Sequence, residues 1–216
     1  MKNLILIGPP GAGKGTQSEK LKEEGYKHIS TGDLLRQEVK SGSDLGKKIA
    51  QLIDNGNYVS DEMAMDLINK NVDMDSGSYI FDGMPRTENQ AKLLLEKVIK
   101  EKDYLAIYFD IKDDKLIDRL IYRRSCKSCG KIHNLLNKKD LIDSSKQMTC
   151  SSCGSTEFIH RKDDTIEAVP QRIKNFHEKT KPVLDFFKEQ GSLIVMDADK
   201  TSENLFQELK EIVNEE

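Results

Sequence analysis

Residues 8–16, GPPGAGKGT, combine glycines, a lysine and a hydroxyl at a spacing that suits phosphate binding. Glycines let backbone N–H groups turn around an anion without Cβ clashes, and Lys14 supplies positive charge for the outer phosphates. The segment nearly matches G-x-x-x-x-G-K-[ST], except that Gly15 stands between Lys14 and Thr16. An ordinary glycine-rich turn is the alternative, but the lysine and the hydroxyl favour a nucleotide site.

Arginine is the second residue type whose placement indicates chemistry. Only a minority of the 34 basic residues are arginine. A chain that uses lysine for its solvated surface keeps arginine where a planar, bidentate guanidinium is needed, as on phosphates. Biased codon usage with randomly placed arginines is the alternative. The arginines are Arg36, Arg86, Arg119, Arg123, Arg124, Arg161 and Arg172.

Asp82 and Arg86 lie at and just after the end of a predicted strand, 79–82. Ligands of open parallel sheets bind at the carboxyl ends of the strands. We therefore expect Asp82 to hold Mg²⁺ through water and Arg86 to bind a phosphate. A surface turn with a salt bridge is the alternative.

Four cysteines form two C-x2-C pairs separated by twenty residues, with a glycine after each pair. This spacing predicts a tetrahedral, structural zinc site, since four thiolates leave no open position for chemistry. Disulfides are the poorer alternative in a reducing compartment. His133 and His160 lie nearby, but a complete set of cysteines leaves them no necessary role as ligands. The predicted ligands are Cys126, Cys129, Cys150 and Cys153.

Composition limits the classes of function. A net charge of −3 and the lack of a dense basic block argue against nucleic acid or an anionic membrane as partner. The N-terminal apolar run ends after about four residues, whereas a secretory signal needs ~7–15. No apolar run approaches the ~20 residues of a membrane helix. We therefore expect a cytosolic protein.

Alternating strands and helices must position these residues, and they predict a doubly wound parallel α/β sheet. In the helix 113–124, Arg119 and Arg123 are four residues apart and share a face. Two excursions, about 30–59 and 123–160, interrupt the alternation. Strands are predicted at 4–7, 79–82, 104–109 and 193–197, and helices at 17–24, 34–40, 45–53, 60–69, 87–101, 113–124, 165–189 and from 202 onward.

One apparent motif is set aside. Residues 137–140 match the N-K-x-D signature by which GTPases read guanine. Here the match lies in a polar loop between the cysteine pairs, and no D-x-x-G occurs anywhere in the chain. We interpret it as a solvated turn.

Taken together, the motifs resemble those of the adenylate kinases, in the long bacterial form with a zinc-bearing lid. The resemblance runs from the first strand to the last helix. It rests on GPPGAGKGT at 8–16, STGDLLR at 30–36, FDGMPRT at 81–87, DRLIYRR at 118–124 and RKDD at 161–164.

The resemblance implies the Mg²⁺-dependent reaction ATP + AMP ⇌ 2 ADP, with a role in adenine nucleotide homeostasis and purine salvage, in a cytoplasmic monomer. It also implies a P-loop core formed by 1–29, 60–122 and 161–216, an AMP-binding domain at 30–59, and a lid at 123–160. Two mobile domains would close on the substrates and exclude water.

Site residues follow from the resemblance by position. Catalysis would depend on Lys14, Arg86, Arg123, Arg161 and Arg172. Asp163 and Asp164 would order the lid hinge. ATP would be held by Gly11, Ala12, Gly13, Lys14, Gly15, Thr16, Arg119, Arg123, Ile132, His133 and Lys200. AMP would be held by Thr31, Arg36, Asn57, Tyr58, Val59, Gly83, Met84, Pro85, Arg86, Gln90, Arg161 and Arg172.

Two rival functions stay open at this stage. One is a nucleoside monophosphate kinase acting on UMP, CMP or GMP, because base choice depends on the shape of the pocket. The other is a zinc-ribbon protein that binds nucleic acid and has an accessory nucleotide site, which the net charge argues against.

Overall fold

The computed structural model describes residues 1–136 and 148–214. Its strands are β1 Asn3–Ile7, β2 Lys27–Ser30, β3 Tyr79–Asp82, β4 Tyr104–Asp110, β5 Arg123–Cys126, β6 Ile132–Asn134, β7 Phe158–Ile159 and β8 Leu193–Asp197. Five of them form one parallel sheet in the order β2-β3-β1-β4-β8. The predicted doubly wound parallel α/β sheet is confirmed.

Helices cover this sheet and form the connections between its strands. They are α1 Lys14–Glu23, α2 Thr31–Ser41, α3 Asp44–Ile53, α4 Asp61–Asn71, α5 Glu88–Leu93, α6 Leu116–Ile121, α7 Ala168–Asn175, α8 Val183–Glu189 and α9 Ser202–Asn214. Short π-helical stretches continue α5 (Leu94–Ile99) and α7 (Phe176–Thr180). In the described parts of the chain, no helix has the length and apolar character needed to cross a membrane.

The core explains why β1 is apolar along its whole length. All five of its residues are buried, as expected for a central strand of a parallel sheet that is covered on both faces. Phe81, Phe176 and Phe187 belong to the apolar cluster on one face. Leu21 and Phe109 belong to the cluster on the other. The central strand therefore gives a rigid base to the glycine-rich loop that follows it, whose residues 11–16 are called the phosphate loop after their predicted role.

The two excursions have different structures. Residues 30–59 contain α2 and α3, and Leu35, Ile49 and Val59 form a small apolar cluster with α4. In the second excursion β6, β5 and β7 form a separate antiparallel sheet. The N-K-x-D match at 137–140 lies outside the described residues.

Two of the sequence predictions about helices were wrong. The helix predicted over 113–124 ends at Ile121, and Arg123 is the first residue of β5. Arg119 and Arg123 therefore do not share a helix face. The helix predicted over 165–189 begins only at Ala168, which leaves Pro170 in the first turn, where its missing N–H breaks no helical hydrogen bond.

Candidate functional site

The loop between β1 and α1 has the geometry that anion binding requires. Gly11 and Gly13 have φ angles of 86° and 98°, a left-handed conformation that glycine adopts without strain. No side chain caps the N-terminus of α1, so its first N–H groups are available to an anion. Lys14 Nζ lies across the loop and donates to the carbonyls of Gly8 and Pro9, at 2.7 and 3.0 Å.

Several cations surround Lys14. Burial lowers its pKa to about 8; Asp82 opposes this shift, and Arg86, Arg123 and Arg172 add to it. Like charges raise the free energy of a folded protein unless an anion balances them. The structure thus brings together cations from four separate segments, all of them predicted from the resemblance to act in catalysis.

Arg161 and Arg172 extend this cluster. Burial, Arg123 and Arg36 lower the pKa of Arg161 to about 10. Burial lowers the pKa of Arg172, Arg123 lowers it further, and Asp163 opposes the change. We call Lys14, Arg36, Arg86, Arg123, Arg161 and Arg172 the cationic cluster.

Lys14 and Arg86 differ from most members of the cluster in their partners. Among residues 1–136 and 148–214, neither has a carboxylate within ion-pair distance, and their side chains donate to backbone carbonyls. Basic side chains that are half-buried beside other cations and lack acidic partners are typical of sites for anionic ligands. Arg124 lies apart, donating to the carbonyls of Ile121 and Arg123.

Asp164 holds Arg123 and Arg172 together. Its carboxylate accepts from Arg123 Nε and Nη2 at 2.7 and 2.6 Å, and from Arg172 Nη1 at 2.5 Å. Asp163 lies 3.1 Å from the same Arg172 nitrogen. Burial would raise the pKa of Asp164, but Arg123, Arg172 and Arg161 hold it below its usual value. The bidentate contact fixes the plane of the Arg123 guanidinium group, and Arg172 is held through one terminal nitrogen.

Replacing Asp164 by asparagine should therefore destabilise the protein. Its carboxylate is fully buried, and removing one partner from a buried ion pair costs about 3–5 kcal/mol. Urea unfolding measures the free energy of unfolding. Asp163→Asn is the matched control, with a smaller expected loss because Asp163 is 15% exposed and pairs with Arg172 alone. Equal losses in the two variants would contradict this assignment.

The carboxyl end of β8 lies beside Arg119. Arg119 Nη1 donates to the Ala198 carbonyl at 3.3 Å, and Nη2 lies 3.7 Å from Asp199 Oδ1. The Lys200 side chain instead pairs with Glu208 at 2.6 Å, which leaves only the Lys200 backbone for a ligand. Arg119 thus lies beside the residues that directly precede Lys200, the position whose backbone is predicted to meet adenine.

Two of the residues predicted to bind AMP, Thr31 and Arg36, lie in the first half of α2. Thr31 is buried, and its hydroxyl has no hydrogen-bond partner in the described part of the chain. Arg36 Nη2 lies 2.6 Å from Asp33 Oδ1, and Arg161 Nη2 lies 3.9 Å from the same oxygen. Burial would raise the pKa of Asp33, but Arg36 and Arg161 outweigh it and lower this pKa.

The turn after β3 holds Arg86 in place. Gly83 has a φ of 77°, and the Met84–Pro85 peptide is cis. The Gln90 carbonyl oxygen accepts from the Arg86 backbone N–H at 2.7 Å, and the Gln90 amide donates to Asp61 at 2.8 Å. Gln90 therefore has one amide hydrogen and one lone pair of its carbonyl oxygen left to offer to a base.

Other residues predicted to bind AMP differ in what they leave available to a ligand. The Val59 side chain packs in the apolar cluster with Leu35 and Ile49. Met84 and Pro85 are buried in the turn. Asn57 is exposed, and its backbone N–H donates to the Leu52 carbonyl at 3.0 Å.

Asp82 lies at the phosphate loop, as predicted. Asp82 Oδ2 lies close to the backbone of Gly15, because a Cβ atom placed on that glycine would be 3.6 Å from it. His28 Nε2 lies 3.4 Å from the same oxygen. Burial would raise the pKa of Asp82, but His28 and Lys14 keep it lowered. An ionised carboxylate at this position fits a Mg²⁺ ion held through water.

The four cysteines form one cluster, and their sulfur atoms all lie within 4.8 Å of one another. The Cys126–Cys153 and Cys129–Cys150 sulfur pairs are each 3.6 Å apart, close to the ~3.8 Å edge of a tetrahedron of sulfurs about 2.3 Å from zinc. Backbone N–H groups of Cys129 and Ser128 lower the pKa of Cys126 to about 6. This donor set fits a structural zinc ion.

The predicted pair Ile132 and His133 divides between two sites. The Ile132 side chain, from β6, lies beside the backbone of Gly15 in the phosphate loop. A Cβ atom placed on Gly15 would be 3.6 Å from Ile132 Cδ1. The His133 ring is buried, with Nε2 3.3 Å from Cys150 Sγ and the ring edge-on to Phe158. The His133 side chain therefore faces the cysteine cluster, and only its backbone is available to ATP.

The chain is similar to known proteins along most of its length. A family model described as adenylate kinase matches residues 6–192. A protein named adenylate kinase from Elusimicrobium minutum is 40% identical over 215 residues, covering 98% of both chains. Adenylate kinases from Kosmotoga olearia and Archaeoglobus fulgidus are 39% and 35% identical, covering 97% and 98% of this chain and 100% and 97% of their own.

Proposed function

The chain belongs to the adenylate kinase family, and we propose that its reaction, ATP + AMP ⇌ 2 ADP, takes place at the cationic cluster. One observation carries this proposal: the members of the cationic cluster come from separate segments of the chain, and neither Lys14 nor Arg86 has a carboxylate within ion-pair distance among residues 1–136 and 148–214. A site with such a surplus of positive charge suits the several phosphate groups of two nucleotides. The enzyme is a nucleoside monophosphate kinase.

The two nucleotides occupy opposite sides of this cluster. The phosphate loop, residues 11–16, holds the ATP phosphates, with Arg119, β6 and the Lys200 backbone around the adenine and ribose. The turn 83–86, residues 57–59, Arg36 and Gln90 hold AMP. The unpartnered hydroxyl of buried Thr31 supports a ligand there, because a buried polar group without a partner is costly.

Catalysis depends on charge and position. Phosphoryl transfer requires little covalent help, so Lys14, Arg86 and Arg123 act by stabilising charge on the transferred group. The AMP phosphate is already anionic, so the acceptor needs no general base. Mg²⁺ accompanies ATP in this family and would neutralise part of its charge; Asp82 is the carboxylate placed to hold it through water.

Closure of the two excursions excludes water, which would otherwise hydrolyse ATP. We propose that residues 30–59 form the AMP-binding domain and 123–160 the lid, on a core formed by 1–29, 60–122 and 161–216. The contact between Ile132 and the phosphate loop supports this role. Asp164 links Arg123, in the proposed lid, to Arg172 in the core, and Asp163 adds a second contact to Arg172.

We further propose that the enzyme works as a cytoplasmic monomer without nucleic acid or membrane partners. Residues of one chain supply both nucleotide sites, which supports a functional monomer. The net charge of −3 gives no electrostatic attraction to polyanions.

Nucleotide specificity tests the proposal. ADP formation from Mg-ATP should be fastest with AMP among AMP, UMP, CMP and GMP, each measured at several concentrations. Preferential use of UMP or CMP would sink the assignment of residues 31, 57–59 and 90 to an adenine site. Salt-sensitive binding of DNA or RNA without AMP-dependent ADP formation would favour the nucleic-acid alternative.

The zinc site gives a prediction about stability. Cys126→Ser should lose the bound metal and lower Tm by about 5 °C or more, because a structural metal contributes directly to folding. Metal analysis and calorimetry measure the two effects. The affinity of the core for ATP should change little, whereas Tm should fall clearly.

Ser128→Ala is the matched control for Cys126→Ser. Ser128 lies in the same turn, and its hydroxyl donates to Ser155 rather than to a cysteine, so this variant should keep its metal. A wild-type protein purified without chelators that contains no metal would contradict the four-cysteine site.

A further inference from the structure

Tyr58 has a contact that its predicted role in binding AMP does not explain. It lies in the loop between α3 and α4, and its ring lies against the guanidinium group of Arg86. The distance from Arg86 Cζ to the ring centroid is 4.7 Å. Separations below about 6 Å give a favourable cation–π interaction.

The hydroxyl group of Tyr58 fixes the position of this ring. Its oxygen lies 3.0 Å from Thr180 Oγ1, and the Thr180 hydroxyl donates to the Arg86 carbonyl at 3.1 Å. Because the single hydroxyl hydrogen of Thr180 is used for Arg86, Tyr58 must be the donor to Thr180. Thr180 is buried, so this short chain of hydrogen bonds has little competition from water.

Other contacts hold the loop and the rest of Arg86. The Asn175 amide donates to the Gly56 carbonyl at 2.9 Å, which ties the loop to α7. Arg86 Nε donates to the Gly83 carbonyl at 2.8 Å. The two terminal nitrogens of Arg86 have no hydrogen-bond partner among residues 1–136 and 148–214, so they remain available to a phosphate.

We propose that Tyr58 is a positioning residue for Arg86. The ring sets the plane of the guanidinium group so that its terminal N–H groups face the transferred phosphate, and the hydroxyl sets the ring through Thr180. This inference rests on the proposed function, in which Arg86 stabilises charge on that phosphate. It assigns a role to the Tyr58 side chain beyond the AMP contact predicted for residues 57–59.

Removing the ring tests the proposal. Tyr58→Leu should lower kcat by about 3- to 30-fold, the range that a lost cation–π contact implies, with KM for ATP little changed. Tyr58→Phe keeps the ring and should restore most of kcat. Lys179→Met is the matched control, because exposed Lys179 also approaches the Tyr58 ring, at 5.7 Å, and should leave kcat unchanged. A purely structural role would instead lower Tm in both Tyr58 variants without a selective loss of kcat.

A double-mutant cycle separates this proposal from the role of Arg86 itself. In an Arg86→Ala background, Tyr58→Leu should cause no further loss of kcat, because the group that it positions is gone. If Tyr58→Leu lowered kcat by the same factor in the wild-type and the Arg86→Ala backgrounds, the proposal would be overturned. A wild-type kcat in Tyr58→Leu alone would also overturn it. If Arg86→Ala alone barely changed kcat, the proposed role of Arg86 would fail instead.

Discussion

Changing Arg86 to alanine is expected to lower kcat by about 10³-fold or more, with little change in Tm. Arginines that stabilise charge in phosphoryl transfer contribute about 10³–10⁵-fold. The loss of stability should be small because the Arg86 side chain is half-buried beside the Tyr58 ring and, within the described residues, donates only to the Gly83 carbonyl. Single-turnover kinetics with saturating nucleotides measure this effect on the chemical step.

Two further variants make the Arg86 result specific. Arg86→Lys should recover part of kcat, since it keeps the charge but loses the planar fork. Lys162→Ala removes a cation whose side chain is 81% exposed, and it should leave kcat near the wild-type value. A loss of kcat below about tenfold in Arg86→Ala would show that this guanidinium does not meet the reacting phosphate.

Changing Lys14 to methionine should lower kcat by about 10²–10³-fold, because it removes preorganised positive charge from the transferred group. Methionine has a similar length and keeps the apolar stem of the side chain. The carbonyls of Gly8 and Pro9 that accept from Lys14 would lose that donor. Thermal unfolding of the variant serves as the control for folding.

The pH dependence adds a test of the same residue. With a pKa of about 8 in the free enzyme, Lys14 is mostly charged below pH 8 and mostly neutral above it. kcat/KM for ATP should therefore fall above about pH 8, because this parameter reports the free enzyme. Bound phosphate raises the pKa of Lys14, so kcat should stay level to higher pH. A kcat/KM that stays constant up to pH 9.5, or a fall that persists in Lys14→Met, would contradict this assignment.

Local patterns in the sequence predicted the strands of the sheet, the glycine-rich loop and the cysteine cluster, whereas most of the site residues were predicted from the family resemblance. Apolar runs of the right length predicted β1, β3, β4 and β8, and glycines with a lysine and a hydroxyl predicted the phosphate loop. The cysteine spacing predicted a cluster whose sulfur atoms do lie together. The strands and the loop are carried by residues that are neighbours in the chain, and the cysteine cluster by two short pairs twenty residues apart.

What the sequence did not show depends on contacts between distant segments. The boundary at Tyr122 was missed because the helical pattern continues through Arg123, whereas pairing with β6 makes Arg123 part of a strand. His133 faces Cys150, and no local pattern distinguishes this orientation from one towards ATP. The contacts of Tyr58 with Thr180 and Arg86 join segments far apart in the chain.

The most direct test of the two-nucleotide site is titration calorimetry with a bisubstrate analogue, two adenosines joined by five phosphates. We expect one analogue to bind per chain, ATP and AMP binding to be lost completely once it is bound, and its affinity to be strongly reduced in Arg86→Ala and Arg161→Ala. If AMP still bound the analogue-saturated enzyme, or if affinity were unchanged in both arginine variants, the cationic cluster would not be the place where the two nucleotides meet.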